Sequence, residues 1–138
     1  MRKRVVILAS GQGSLAQAII DASELEIQIV AVVSDRADAQ VLERAKKASI
    51  NTTVVALTDD RQKWNKQLFE AVDQYSPDLV VSAGFMRILS PEFVNYFPTI
   101  NSHPALLPDF PGAHAVRDAL AAGDEGQARE LLAQWMRI

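Results

Sequence analysis

The chain has 138 residues, a formal net charge of −3 at pH 7, and is 49% hydrophobic and 22% charged. These values are typical of one globular domain with a real core, and they exclude a disordered chain; the slight acidity also argues against nucleic acid or an anionic membrane as the main partner. There is no cysteine, which excludes a disulfide or a thiolate nucleophile, and with only two histidines and no close acidic cluster we expect no metal site.

The first predicted unit is a strand, a glycine turn and a helix. Residues 4–9 are predicted as a strand, and the continuous apolar run at 5–9 is typical of a buried strand in a parallel sheet. The run is too short for a membrane span or for the core of a signal peptide, so we expect a cytoplasmic protein. The segment SGQGS follows at residues 10–14, and Ser14 is placed to cap a helix. The apolar face of that helix comprises Leu15, Ala18, Ile19 and Ala22.

The glycine turn has two interpretations. Gly11 and Gly13 let the backbone approach a ligand closely, and the N–H groups of the following helix form an anion site. Alternatively, the segment is a tight turn with no ligand. The third glycine of a dinucleotide fingerprint is missing, because Ser14 and Leu15 follow, which favours a phosphate monoester over a pyrophosphate. A β-branched residue at Gly13 is then predicted to abolish phosphate binding in a folded protein, by occupying the ligand's approach.

The same alternation continues along the chain. We predict strands at 27–33 and 52–57, with a helix at 37–48 between them. On the outer face of this helix, Glu43 and Lys47 are spaced to form an ion pair one turn apart. Its inward residues are Val41, Leu42, Ala45 and Ala48.

A further helix follows the polar turn TDD at 58–60, where Asp59 or Asp60 can cap it, and it ends before Pro77. Its inward stripe comprises Trp64, Leu68, Ala71, Val72 and Tyr75. Arg61 lies in the first turn, where the helix dipole does not favour a cation. It is either a solvated surface arginine or a ligand-binding residue, and its unfavourable position favours the ligand role.

A strand at 78–83 leads into the loop GFMRIL at 84–89. Its four apolar side chains around Arg87 either cover the end of the sheet or form a slot for a planar ligand. Ser90 and Pro91 are a good helix start, as N-cap and first helical residue.

The segment TINSHPALLP at 99–108 has the residues best suited to chemistry. Residues 99–101 are predicted as a strand, and Pro104 stops it. Asn101 and His103 are two apart, so in an extended chain they project to the same face. An amide can donate to a developing oxyanion and an imidazole can move a proton near neutral pH, which suits acyl transfer. The same side chains could instead satisfy backbone groups of the loop. A short helix is predicted at 114–122.

Strands that alternate with helices predict an α/β fold with a doubly wound, mostly parallel sheet. Such sheets bind ligands beyond the carboxyl ends of their strands. The glycine turn, the 84–89 loop, and Asn101 with His103 are all expected at those ends.

Three motifs together, SGQGS at 10–14, AGFMRIL at 83–89 and NSHPALLP at 101–108, resemble the phosphoribosylglycinamide formyltransferases, folate-dependent enzymes of purine synthesis. The resemblance covers about residues 4–123. It favours this family over the methionyl-tRNA formyltransferases and the formyl-folate hydrolases, which share the Asn-x-His pair but not the opening turn. It implies a Rossmann-like formyltransferase fold for residues 1–123.

The resemblance also implies roles for individual residues. The phosphate of glycinamide ribonucleotide would be held by Gly11, Gln12, Gly13 and Ser14, and the co-substrate 10-formyltetrahydrofolate would be bound by Arg61, Met86, Arg87, Ile88 and Leu89. Asn101 would stabilise the oxyanion of the tetrahedral intermediate, and His103 would donate the proton. His114 follows Pro-Gly as in the family and either lines the site or lies at the surface. The substrate amine attacks the formyl carbon, so no protein nucleophile or metal is needed.

The sequence departs from the family pattern in places. Leu15 replaces a common Asn, and Asp109 stands where a basic or small residue is usual. The family continues past Gly123 with more strands and with an aspartate that tunes the histidine, and we find no counterpart here. Residues 124–138 read instead as an amphipathic helix, with Ala128, Leu131, Leu132 and Trp135 on one stripe.

Two functions follow from these patterns. The first is a folate-dependent formyltransferase with weakened activity, and the second is a non-catalytic nucleotide-binding or oligomerising module with the same fold. In either case an apolar sheet edge after the 99–101 strand invites association, so we expect a homo-oligomer, most simply a dimer.

Overall fold

The computed structural model describes residues 2–23 and 25–101. In these ranges, five strands alternate with four helices, as the sequence predicted. The strands are β1 (Lys3–Leu8), β2 (Ile27–Ser34), β3 (Asn51–Val54), β4 (Leu79–Ser82) and β5 (Thr99–Asn101). The helices are α1 (Ser14–Ile20), α2 (Gln40–Lys47), α3 (Arg61–Asp73) and α4 (Pro91–Tyr96).

The five strands form one sheet in the order β3-β2-β1-β4-β5, and every neighbouring pair is parallel. The chain winds outward from β1 to β3 and then returns to add β4 and β5 on the other side of β1. The doubly wound parallel sheet is therefore confirmed. The strand order reverses between β1 and β4, and ligands of such sheets bind at the carboxyl ends of the strands at this reversal.

Helices cover both faces of the sheet, and β1 shows how its sequence serves both. Val5 and Ile7 pack into the core with α1 and α2, whereas Val6 and Leu8 pack into the core with α3 and α4. Successive side chains of a strand point to opposite faces, so a strand buried on both faces is apolar throughout. The continuous apolar run at 5–9 has this cause.

Predicted caps are confirmed at α3 and α4 and wrong at α1. The side chain of Asp60 accepts a hydrogen bond from the Lys63 amide, and Ser90 likewise accepts from the Phe93 amide. The N-cap of α1 is Gly13, in the left-handed conformation and without a side-chain cap. Ser14 is already the first helical residue, so its hydroxyl does not serve as the cap.

Helix α2 ends earlier than predicted, and its outer ion pair differs by one residue. Ala48 is exposed because the helix ends before it, and Ser49 then turns the chain away with a φ of 59°. Glu43 pairs with Lys46 at 3.7 Å rather than with Lys47, since positions three and four apart are both neighbours on a helix. On α3, Tyr75 is only partly buried, beyond the helix end at Asp73.

In the part of the chain that the structure describes, no helix is long and apolar enough to span a bilayer. The predicted helix at 114–122, the predicted tail helix and the boundary at 123 all lie outside the described residues.

Candidate functional site

The glycine turn after β1 is held by helix α2 through its carbonyl groups. The Gly11 carbonyl accepts a hydrogen bond from the Val41 amide at 3.1 Å, and the Gln12 carbonyl accepts one from Arg44 Nε at 2.7 Å. No peptide bond in the described ranges is cis. In a planar trans peptide the N–H points opposite to the carbonyl, so the N–H groups of Gln12 and Gly13 point away from α2. The turn thus offers amide donors on its free side.

The two glycines of the turn serve different purposes. Gly13 has a φ of 83°, and a Cβ atom there would lie 2.5 Å from Val41 Cγ2. At Gly11 a Cβ would meet nothing within 4 Å. We expected a β-branched residue at Gly13 to block a ligand in a folded protein. That reason is wrong, because the added side chain would collide with Val41 of α2. Gly11 is the position where a side chain would enter open space.

The loop after β4 is anchored by one buried aromatic ring. Phe85 is 1% exposed and stacks on Trp64, with ring centroids 6.2 Å apart and an interplanar angle of 14°. Met86 and Ile88 are 62% and 69% exposed. Only part of the loop therefore covers the sheet, and two large apolar side chains remain available to a ligand.

Arg61 holds this loop from the first turn of α3. Its Nη2 donates to the Ile88 carbonyl at 2.6 Å and its Nε donates to Asn65 Oδ1 at 3.1 Å. The guanidinium carbon lies 4.8 Å from the centre of the Trp64 ring. These contacts account for a cation at a helix N-terminus, and they connect Arg61 with the loop that the sequence grouped with it.

A buried polar network, which the sequence analysis missed, joins the same segments. Asp35, directly after β2, accepts hydrogen bonds from Ser10 Oγ at 2.6 Å and from Arg87 Nε at 2.8 Å. Ser10 Oγ in turn accepts from the Met86 amide at 2.9 Å. The sequence does carry a signal for this network, because Ser10 and Asp35 are polar residues that follow the buried parallel strands β1 and β2. The contact of Arg44 with Gln12 had no such signal.

The carboxyl ends of β1 and β4 are adjacent, so the glycine turn and the 84–89 loop come together as predicted. Asn101 ends β5 opposite Ser82, the last residue of β4. His103 and His114 lie outside the described residues. In residues 2–23 and 25–101, no group of three or more His, Cys, Asp or Glu side chains is placed to hold a metal ion.

Comparison with known proteins decides the family. Residues 3–128 match the family model described as formyl transferase. The chain belongs to the formyl transferase family. It is 47% identical over 128 residues to the phosphoribosylglycinamide formyltransferase of Escherichia coli, a match that covers 88% of this chain and 60% of that protein. The resemblance to this branch of the family, inferred from the three motifs, is confirmed.

Solved structures agree with this assignment. The phosphoribosylglycinamide formyltransferase of Coxiella burnetii has a TM-score of 0.72 and 41% identity, covering 90% of this chain and 62% of that chain. A formyltetrahydrofolate deformylase from Pseudomonas putida has a TM-score of 0.66 and 25% identity, covering 73% of this chain and 38% of that one. The chain thus spans about 60% of the length of its E. coli relative.

Proposed function

We propose that this formyl transferase chain catalyses a step of purine biosynthesis, the transfer of a formyl group from 10-formyltetrahydrofolate to glycinamide ribonucleotide. The observation that carries the proposal is the direct contact between the two segments assigned to the two substrates. The Ser10 amide donates to the Gly84 carbonyl at 3.3 Å, and the Met86 amide donates to Ser10 Oγ at 2.9 Å. Two bound molecules at these segments would be neighbours, as a bimolecular transfer requires.

The glycine turn is the proposed site for the ribonucleotide phosphate, with Gly11, Gln12, Gly13 and Ser14 as its residues. Its support is the orientation of the turn, because α2 engages the carbonyls and leaves the opposite side to the amides. None of the Gln12, Gly13 and Ser14 amides donates to another residue within the described ranges. Amides directed at one point bind a phosphate well.

The 84–89 loop with Arg61 is the proposed site for the folate. Exposed Met86 and Ile88 offer apolar contact to a flat ring, and the partly buried Leu89 extends that surface. Arg87 presents a guanidinium whose side chain is one-third exposed. Residues of this kind fit a ligand with a planar ring and polar edges.

The proposed chemistry uses two side chains of the following segment. The amine of the ribonucleotide attacks the formyl carbon, a new carbon–nitrogen bond forms, and the bond from that carbon to the folate nitrogen breaks. Asn101 stabilises the oxyanion of the tetrahedral intermediate, and His103 supplies the proton that the departing nitrogen takes up. The attacking nitrogen loses one proton as it becomes an amide, and this proton replaces the one that His103 gave. Neither role needs a metal or a protein nucleophile.

The proposed sites are tested by calorimetric titration with each ligand separately. Gly11→Val should weaken binding of glycinamide ribonucleotide and leave folate affinity unchanged, since the new side chain enters open space beside the turn. Ile88→Ser should do the reverse, because it removes an exposed apolar side chain from the loop. Val94→Ser, an exposed residue of α4, is the matched control and should change neither affinity. Unchanged affinities in both site variants would contradict the assignment.

A further inference from the structure

The side chain of Asp35 is fully buried at the edge of the sheet that carries the site. It has 0% exposure, and both of its oxygens accept hydrogen bonds, Oδ1 from the Ser10 hydroxyl and Oδ2 from Arg87 Nε. A carboxylate is costly to bury and persists only where charged and polar partners compensate it. The partners here come from the segments after β1 and β4, and Asp35 itself follows β2.

The contacts close into a ring. Asp35 accepts from Ser10, Ser10 accepts from the Met86 amide, and the next residue, Arg87, donates back to Asp35. One carboxylate therefore fixes both the main chain of Met86 and the direction of the Arg87 side chain. Each link is short, between 2.6 and 2.9 Å.

Arg87 uses only one of its N–H donors to bind Asp35. Asp35 engages Nε, and within the described ranges neither terminal nitrogen of the guanidinium has a hydrogen-bond partner. An arginine has five N–H donors, so four remain. The Arg87 side chain is 34% exposed, whereas that of Asp35 is 0% exposed. The four remaining donors are therefore accessible to solvent, and the hydrogen bond to Asp35 fixes their direction.

We propose that Asp35 is a positioning residue for the folate-binding loop: through Ser10 and Arg87 it holds residues 86–87 in the conformation that receives the ligand. This inference rests on the proposed function for the identity of the ligand. Asp35 itself touches no substrate. Asp38 lies in the same connection between β2 and α2 and provides the matched control. Its ion pair with Arg36, at 3.2 Å, joins two exposed side chains, 59% for Arg36 and 75% for Asp38.

The first test is hydrogen exchange, which needs no ligand. Asp35→Asn removes the negative charge from the ring, so Arg87 loses its charge-assisted hydrogen bond to a carboxylate, although the amide oxygen can still accept from Arg87 and the amide nitrogen can donate to Ser10 Oγ. We expect exchange of the peptide containing residues 84–89 to accelerate about tenfold, the factor that corresponds to one lost charge-assisted hydrogen bond. Asp38→Asn should leave this exchange unchanged. If Asp35→Asn does not fold, Ser10→Ala takes its place, because it breaks the ring at Met86 and keeps the ion pair.

The second test is steady-state kinetics. Asp35→Asn should raise the KM for 10-formyltetrahydrofolate about tenfold with kcat nearly unchanged, because the loop binds and does not react. A general loss of stability would lower the active fraction, and so kcat, without moving KM. Unchanged exchange at 84–89 overturns the proposal, as does faster exchange with an unchanged folate KM. Absence of turnover in the unaltered chain contradicts the proposed function, and the exchange experiment still decides whether Asp35 holds the loop.

Discussion

The Arg61 guanidinium donates a hydrogen bond to the main-chain carbonyl of Ile88 over 2.6 Å, across 27 residues of sequence. This contact fixes the loop after β4 to the first turn of α3. The cation is unfavourable at a helix N-terminus on electrostatic grounds alone, and the Ile88 carbonyl together with the face of Trp64 compensates it. Arg61 therefore shapes the loop whether or not it also touches a ligand.

Replacing Arg61 tests this connection. Arg61→Gln removes the donor to Ile88, and we expect the KM for 10-formyltetrahydrofolate to rise about tenfold, as for loss of one hydrogen bond from a charged group. The kcat should change little. Lys63→Gln, an exposed cation in the same turn, is the control and should leave KM as it is. Equal KM values in the two variants would mean that the contact with Ile88 does not shape the site.

The two glycines of the turn should differ in their effect on stability. Gly13→Ala places a Cβ atom against Val41 at a positive φ, so we expect a loss of about 1–3 kcal/mol in the free energy of unfolding. Gly11→Ala meets open space and should stay within about 0.5 kcal/mol of the unaltered protein. Denaturant unfolding measures both. Equal destabilisation by the two substitutions would contradict the packing of α2 on this turn.

The Trp64 side chain should stabilise the fold through a hydrogen bond as well as through its buried apolar area. It is fully buried, and its Nε1 donates to the Val55 carbonyl at 2.8 Å. Trp64→Phe leaves that buried carbonyl without its donor, and we expect a loss of about 1–3 kcal/mol. Thermal unfolding followed by circular dichroism would measure it. Tyr96→Phe, at a residue that is 61% exposed, is the control and should unfold at the same temperature as the unaltered protein.

Local sequence patterns were sufficient for the sheet and for bringing together two of the predicted site segments. The apolar runs of β1, β2 and β4 identified buried parallel strands, and the rule on their carboxyl ends then brought the glycine turn and the 84–89 loop together. Helix starts with a side-chain cap, at Asp60 and Ser90, were also predictable, because the cap and its partner are three residues apart.

Contacts between distant parts of the chain could not be predicted in the same way. Gly13 meets Val41, and Ser10 meets Asp35 across 25 residues of sequence. No periodicity encodes such pairs, since they depend on how far α2 and the end of β2 lie from β1 after folding. For the same reason the obstacle at Gly13 was assigned to a ligand when it is a helix.

The predicted association of the chain is open to direct measurement. The sequence analysis predicts a homodimer that forms at the edge of the sheet after residues 99–101. Sedimentation velocity over a range of protein concentrations should show a dimer that dissociates on dilution. A single monomeric species at all concentrations would contradict the prediction.

We propose that this chain transfers a formyl group through the segment containing Asn101 and His103. The most direct measurement is turnover of 10-formyltetrahydrofolate with glycinamide ribonucleotide, compared between the unaltered chain and His103→Ala. We expect turnover above the enzyme-free rate, and a kcat about 10²–10⁴-fold lower in His103→Ala, the usual contribution of general acid catalysis, with ligand affinities little changed. Equal turnover in the two proteins, or binding of both ligands with no turnover in either, would contradict it.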